Sequence, residues 1–333
     1  MNYKNTATKN FSIDTIFRDN YTNTISTDFS FNLLDPIEKV VSMRISAMEL
    51  PNIWRSFSDL DRTNEFKITI YNFYQLNLDT NNMDLILERE FIIKIPPGNY
   101  TSLNFENMLN AYFLNIGKGL EYLLCNIDQI TTKTTFRAFS YTDDGTNLDP
   151  FDPTNTIYYS PEFYFTLDFS LDNDTSIPIY KKAGWMLGFK KEKYTVNRSN
   201  QYIAIGLPNL NNQLITYYAY LDSESSYGSS VYPYVYLDID EFQQNNRNDS
   251  LYHFVGSNLQ LNSSNILARI SISSSQNTII IDNGSDTVFK KRNYIGPITI
   301  DKLHIKLLNR FGDVINLLGN DFSFILEITY IQY

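Results

Sequence analysis

Chemistry needs side chains that titrate, bind metal or attack, and this 333-residue chain has few of them in useful arrangements. It contains 2 histidines and 1 cysteine. His253 in "SLYHFVGS" and His304 in "DKLHIKL" have no ligand partners at zinc spacing, and one cysteine cannot complete a thiolate site or an intrachain disulfide. Cys125 in "YLLCNI" is expected to be a buried small apolar residue. No Gly-x-Ser-x-Gly elbow, phosphate-binding loop or dinucleotide-binding glycine fingerprint occurs. Carboxylates are more plentiful. On "YVYLDIDEF", alternation puts Asp238 and Asp240 beside Tyr234 and Tyr236, an arrangement that suits a sugar cleft or, more simply, the wet face of a strand. Asp172 with Asp174, and Asp143, Asp144, Asp149 and Asp152, offer oxygens for calcium, but neither group has EF-hand spacing. The residues point away from an enzyme, and no cofactor or metal is expected.

The elements that carry these residues are mostly strands. Leu85, Leu87, Phe91, Ile93 and Ile95 fall on one parity; Val41, Met43, Ile45 and Ala47 fall on another shared face. "EFKITIYNFYQL", "YLLCNIDQITTKTTFRAF", "EFYFTLDFSL", "GWMLGFKKEKYTV" and five segments after Ile266 read the same way. His304 alternates with Leu303, Ile305 and Leu307, so it is expected to point outward. One stretch breaks the pattern. After "IPPGNYT", Phe105, Met108, Leu109, Tyr112, Phe113 and Ile116 follow i, i+3, i+4, i+7, i+8, i+11, which predicts a single amphipathic helix over about 103–116. Thr101 or Ser102 caps it, and Gly117 and Gly119 stop it. Many short strands, turn residues between them and one helix predict an all-β, jelly-roll-type β-sandwich, with one roll or two left open. The tetrapeptide Asp-Phe-Ser-Phe recurs at 28–31 and 321–324, and pairing of the chain-distant strands that it opens would close such a domain.

Residues 1–27 are polar and weakly periodic and are expected to form an extended arm, with the sandwich spanning 28–333 and a split near 172–180 left open. Phe11, Ile13, Ile16 and Phe17 are the arm's candidate anchors on a neighbouring subunit, and Arg18 its candidate ion-pair donor. The net charge of −10 argues against direct nucleic-acid binding. Lys181, Lys182, Lys190, Lys191 and Lys193 around "AGWMLGF", and Lys290, Lys291 and Arg292, are basic clusters that read as solvated surface. No apolar run suggests a signal peptide or a transmembrane segment, so synthesis in a cytoplasm is expected.

The order of "SIDTIFRDNYTNTISTDFSFNLLDPIEKVVSMRISAMELPNIW", "IPPGNYT", "GWMLGFKK", "YVYLDIDEF" and "RNYIGPITIDKLHIKLLNRFGDVINLLGNDFSFILEITYIQY" resembles a family of virion structural proteins from giant DNA viruses of the mimivirus type. The resemblance covers nearly the whole chain, and "GPITIDKLHIKLLNRFGDVINL" is its most specific piece. It implies a jelly-roll minor capsid or penton protein, located in the virion and assembled in the host cytoplasm. Its partners would be other capsid proteins, in a homo-oligomer or a mixed assembly. The competing expectation is a receptor- or glycan-binding surface protein on the same β fold.

Overall fold

The computed structural model describes residues 5–80, 82–141, 164–174, 176–196, 215–228, 232–243, 247–248, 254–255, 260–261, 265–273, 275, 277–284 and 290–332. In chain order the elements begin with β1 (Thr6–Asp14), β2 (Asp28–Pro51), β3 (Glu65–Asn77), β4 (Asn82–Lys94), α1 (Ser102–Ile116), β5 (Leu123–Ile127) and β6 (Lys133–Tyr141). Then come β7 (Tyr164–Asp168), α2 (Ala183–Met186), β8 (Lys193–Val196), β9 (Ile215–Ser226) and β10 (Tyr234–Asp240). Three two-residue strands follow, β11 (Arg247–Asn248), β12 (Phe254–Val255) and β13 (Gln260–Leu261), before β14 (Ile266–Ser271), β15 (Ile279–Asp282), β16 (Lys291–Leu308) and β17 (Ser323–Ile331). Every pairing among these strands is antiparallel. The chain is all-β, as its alternation predicts.

It divides into two compact units, Met1–Trp54 with Tyr232–Tyr333, and Arg55–Val231. Neither boundary falls near 172–180, where a split was left open. The second unit is an insertion between β2 and β10, and Asp172–Tyr180 lies inside it because Asp172 and Asp174 are tied to its own Lys67 and Arg62.

In the discontinuous unit, one sheet runs β1-β17-β2-β16-β10-β14, with β11 added to β16 and β15 to β2. The expected detached arm is therefore a strand. Thr6–Asp14 pairs with β17 in one unbroken register, Thr6 opposite Ile331 through Asp14 opposite Ser323. Phe11 lies beside Leu326 and Ile13 beside Phe324, so their weak periodicity conceals a place at the rim of the unit's own core. β2 and β17 pair as the repeated tetrapeptide suggests, but through 40–49 and 323–330; Asp28–Phe31 lies against β16 instead. Ser46 is an extra residue in β2, since Ala47 faces Ile325 and Ile45 faces Leu326. That bulge moves the buried face from Met43 and Ile45 to Met48 and Leu50 and breaks the parity read from the sequence. Arg292 and Glu241, whose side chains are 2% and 0% exposed, form a buried pair at 2.5 Å, and Arg292 also donates to the carbonyls of Ile239 and Asn265.

The inserted unit packs a four-stranded sheet, β4-β3-β7-β8, and a three-stranded sheet, β5-β6-β9, around one aromatic core with α1 and α2. Helix α1 begins one residue before the predicted start. Thr101 Oγ1 accepts from the Asn104 N–H at 3.2 Å, and Gly117 ends the helix at φ +60, where a Cβ would strain the backbone. Phe105, Leu109 and Phe113 are buried, with Met108, Tyr112 and Ile116 packed beside them. "GWMLGF" is not a strand. It holds α2, whose Gly184 passes so close to the Phe169 ring that a Cβ there would lie 2.4 Å from it. "YLLCNIDQITTKTTFRAF" is a hairpin, β5 and β6, turned by Asp128, which accepts from the N–H groups of Ile130 and Thr131. Leu85 and Leu87 stay exposed because β4 is an edge strand whose dry face begins near Phe91.

Candidate assembly surface

Residues Thr15 to Ser26 join β1 to β2 and are fastened to the segment before β17. Thr15 is buried. Its N–H donates to the Phe322 carbonyl at 3.0 Å, its hydroxyl donates to Asp321 Oδ1 at 2.9 Å, and the Phe322 N–H donates back to that hydroxyl at 2.9 Å. A 3₁₀ turn over Thr15–Phe17 follows, capped by Asp14 Oδ1 accepting from the Ile16 N–H. Arg18 then folds back. Its guanidinium donates to Asp321 Oδ1 at 2.5 Å, to the Thr15 carbonyl at 2.7 Å and to the Thr24 carbonyl at 3.1 Å, and lies 4.0 Å from the Tyr21 ring centre. Tyr21 donates its hydroxyl to Asp321 Oδ2, and Ser26 donates to the Asn320 carbonyl. The polar side chains are thus spent inward on holding the turn.

Its apolar side chains point out. Ile16 is 50% exposed, Phe17 84% and Ile25 57%, where such residues ordinarily seek a core. Of the five residues singled out in the sequence, Ile16 and Phe17 form this open pair, Arg18 supports it from behind, and Phe11 and Ile13 sit half-buried on β1. Ile25 and the fastening residue Asp321 escaped sequence reading, because contact between positions some 300 residues apart leaves no local period. The arrangement can bury apolar area against a partner.

The other candidates are structural. Of the four residues expected on a wet face of β10, Asp238 and Tyr236 are buried, Tyr236 packing with Ile266 and Leu308, while Tyr234 and Asp240 are partly exposed. Burial pushes the Tyr236 hydroxyl up to about 12. His304 points outward as expected and meets Asp28 at 2.7 Å. Asp172 pairs with Lys67, and Asp174, held at about 2 by Ser176 and then Arg62, is occupied by cations from the chain itself. Asp143, Asp144, Asp149, Asp152 and His253 lie outside the described residues. The basic clusters are not simply solvated: Lys182, Lys290 and Arg292 are buried, Lys290 bonding both oxygens of Asp282 at 2.8 Å. The Lys190 ammonium sits 3.6 Å from the Trp185 ring centre, where burial lowers its pKa. Cys125 is buried, and that burial raises its thiol pKa. Among the described residues, no helix is long and apolar enough to cross a membrane.

No protein-family model matches the chain, and no curated protein does. Among solved structures it is similar to the crystal structure of the selenomethionine-labelled mavirus penton protein, with a TM-score of 0.42 and 9% identity over 97% of this chain and 99% of that one.

Proposed function

We propose that this chain is a non-enzymatic structural protein of a viral capsid, acting through contacts with other capsid subunits. The observation that carries the reading is the fastened turn with Ile16, Phe17 and Ile25 held in the open. Rigid display of apolar side chains lowers the entropy lost when a partner covers them, which is what a building block needs. The ordered segments that resemble giant-virus virion proteins support the finer reading, a penton or minor capsid position in a particle assembled in the host cytoplasm. Phe17 and Ile16 are the anchors in this proposal and Arg18 a positioning residue. The glycan-binding alternative would rest on Tyr234 and Asp240, which are partly exposed, and not on Tyr236 and Asp238, which are buried.

Quantitative mass spectrometry of purified particles of the virus encoding this chain tests the proposal, and a stoichiometric copy number is expected. A paired substitution, Ile16→Ser with Phe17→Ser, should leave the isolated protein folded and lower its incorporation at least tenfold. Absence from the particle, or full incorporation of the paired variant, overturns the respective part.

A further inference from the structure

We propose that β1 is a docking edge for a second copy of this chain, the two β1 strands pairing antiparallel about a two-fold axis perpendicular to the sheet. The bonds at either end of β1 show which backbone groups are engaged. Thr15 N–H donates to Phe322 O and Gln332 N–H to Asn5 O, both at 3.0 Å, so the odd-numbered residues face β17. Thr6, Thr8, Asn10, Ser12 and Asp14 therefore turn their backbone N–H and C=O groups to the open side, where no strand of the described residues lies.

This edge is lightly protected, with Lys9 and Asp14 its only charged side chains. Its register has no bulge and its sequence no proline, whereas β4 carries Asp84, Glu88, Arg89, Glu90 and Lys94, and the part of β2 that β17 leaves uncovered, before Val40, holds Pro36. The occupant follows from the strand itself. With Asn10 on the axis, Thr6 faces Asp14 of the second copy, Thr8 faces Ser12, Lys9 faces Phe11 and Ala7 faces Ile13. No like charges oppose each other, and each Lys9 ammonium meets an aromatic ring. Phe11 and Ile13 end the core rows of Ile45 with Leu326 and of Met48 with Phe324. In the second copy Ala7 extends the Ile13 row, and Lys9 lays its alkyl stem along Phe11. The inference concerns this edge alone and stands apart from any place in a virion.

The test uses the full chain. Sedimentation of the wild type at micromolar concentration should show a dimer. Asn10→Pro removes only an outward N–H, so it should give a monomer with an unchanged melting temperature. Asn10→Cys should form a disulfide-linked dimer on mild oxidation, because a bonded pair on the axis has Cα atoms about 5.5 Å apart. Ser12→Cys should not, its two copies lying roughly 13 Å apart. The buried native Cys125 does not compete. A wild type monomeric throughout, a dimer that survives in a folded Asn10→Pro variant, or equal cross-linking of the two cysteine variants overturns the proposal. Should Asn10→Pro fail to fold, the cysteine pair decides alone.

Discussion

Arg18 and Asp321 show what a long-range ion pair does when its side chains are only 6% and 18% exposed. Truncating Arg18 removes the one cation from Asp321, which keeps the Thr15 and Tyr21 hydroxyls, and leaves the Thr24 carbonyl without the guanidinium that donates to it. Arg18→Ala should destabilise the protein by about 1.5–3 kcal/mol in urea titration, the range for hydrogen bonds to charged groups. Arg18→Lys should restore little, because one ammonium cannot reproduce the guanidinium fork. A second pair, Arg44 with Glu327, bridges β2 and β17 by two bonds at 2.8 and 2.6 Å. The Arg44 guanidinium holds the Glu327 carboxyl below the usual glutamate range. Since the folded value is the lower one, its contribution is complete above the unfolded value of about 4.3 and is lost as pH falls through the folded value. Urea midpoints measured downward from about pH 6 should drop in that window, and less steeply for Glu327→Gln.

Among the elements, helix α1 repeats its sequence period in its packing. Phe105 stacks on Phe57 with ring centres 5.2 Å apart and contacts Tyr227, whereas Leu114 is exposed. Phe105→Ala should cost about 3–5 kcal/mol and Leu114→Ala about 0.5 kcal/mol or less, compared by thermal denaturation. The contrast between α1 and β1 shows how much was legible. A helix declares itself through neighbours three and four residues apart, and Thr101, Phe105 and Gly117 state its start, core and stop locally. β1 owes its place to Ser323–Ile331, far away in the chain, and its Phe11 and Ile13 are only partly covered, so its pattern looks like an arm. Ser46 and Val41, each an extra residue against β17, erase the parity of β2, and the pairing of Glu241 with Arg292 has no sequence period. The assembly surface was half legible: Ile16 and Phe17 looked out of place in a polar stretch, but Arg18 read as a donor for a partner while it serves Asp321.

At the scale of the whole molecule, the insertion of one unit into the other has a simple entry point. The Trp54 and Tyr232 rings, on either side of the inserted residues, meet with centres 6.2 Å apart. Arg55–Val231 owns a complete core, so it should fold when expressed alone. Cooperative unfolding and dispersed amide resonances would bear this out; a molten chain would show that the core depends on the rest. Joining Trp54 to Tyr232 through a short glycine-serine linker should likewise leave the other unit folded, as judged by its β circular dichroism.

The placement of β2 also sets a timetable for synthesis. All 24 residues of that strand leave the ribosome before the inserted unit, yet β15, β16 and β17, which flank it on both sides, are made after it. At about 5–20 residues per second, the wait is roughly a quarter of a minute to a minute. Throughout it Met43, Ile45, Met48 and Leu50 stand uncovered while the inserted unit, contiguous in the chain, can already fold. Nascent chains stalled before Ser323 should therefore bind chaperones through β2, and release should follow only when the final strand emerges and closes the sheet.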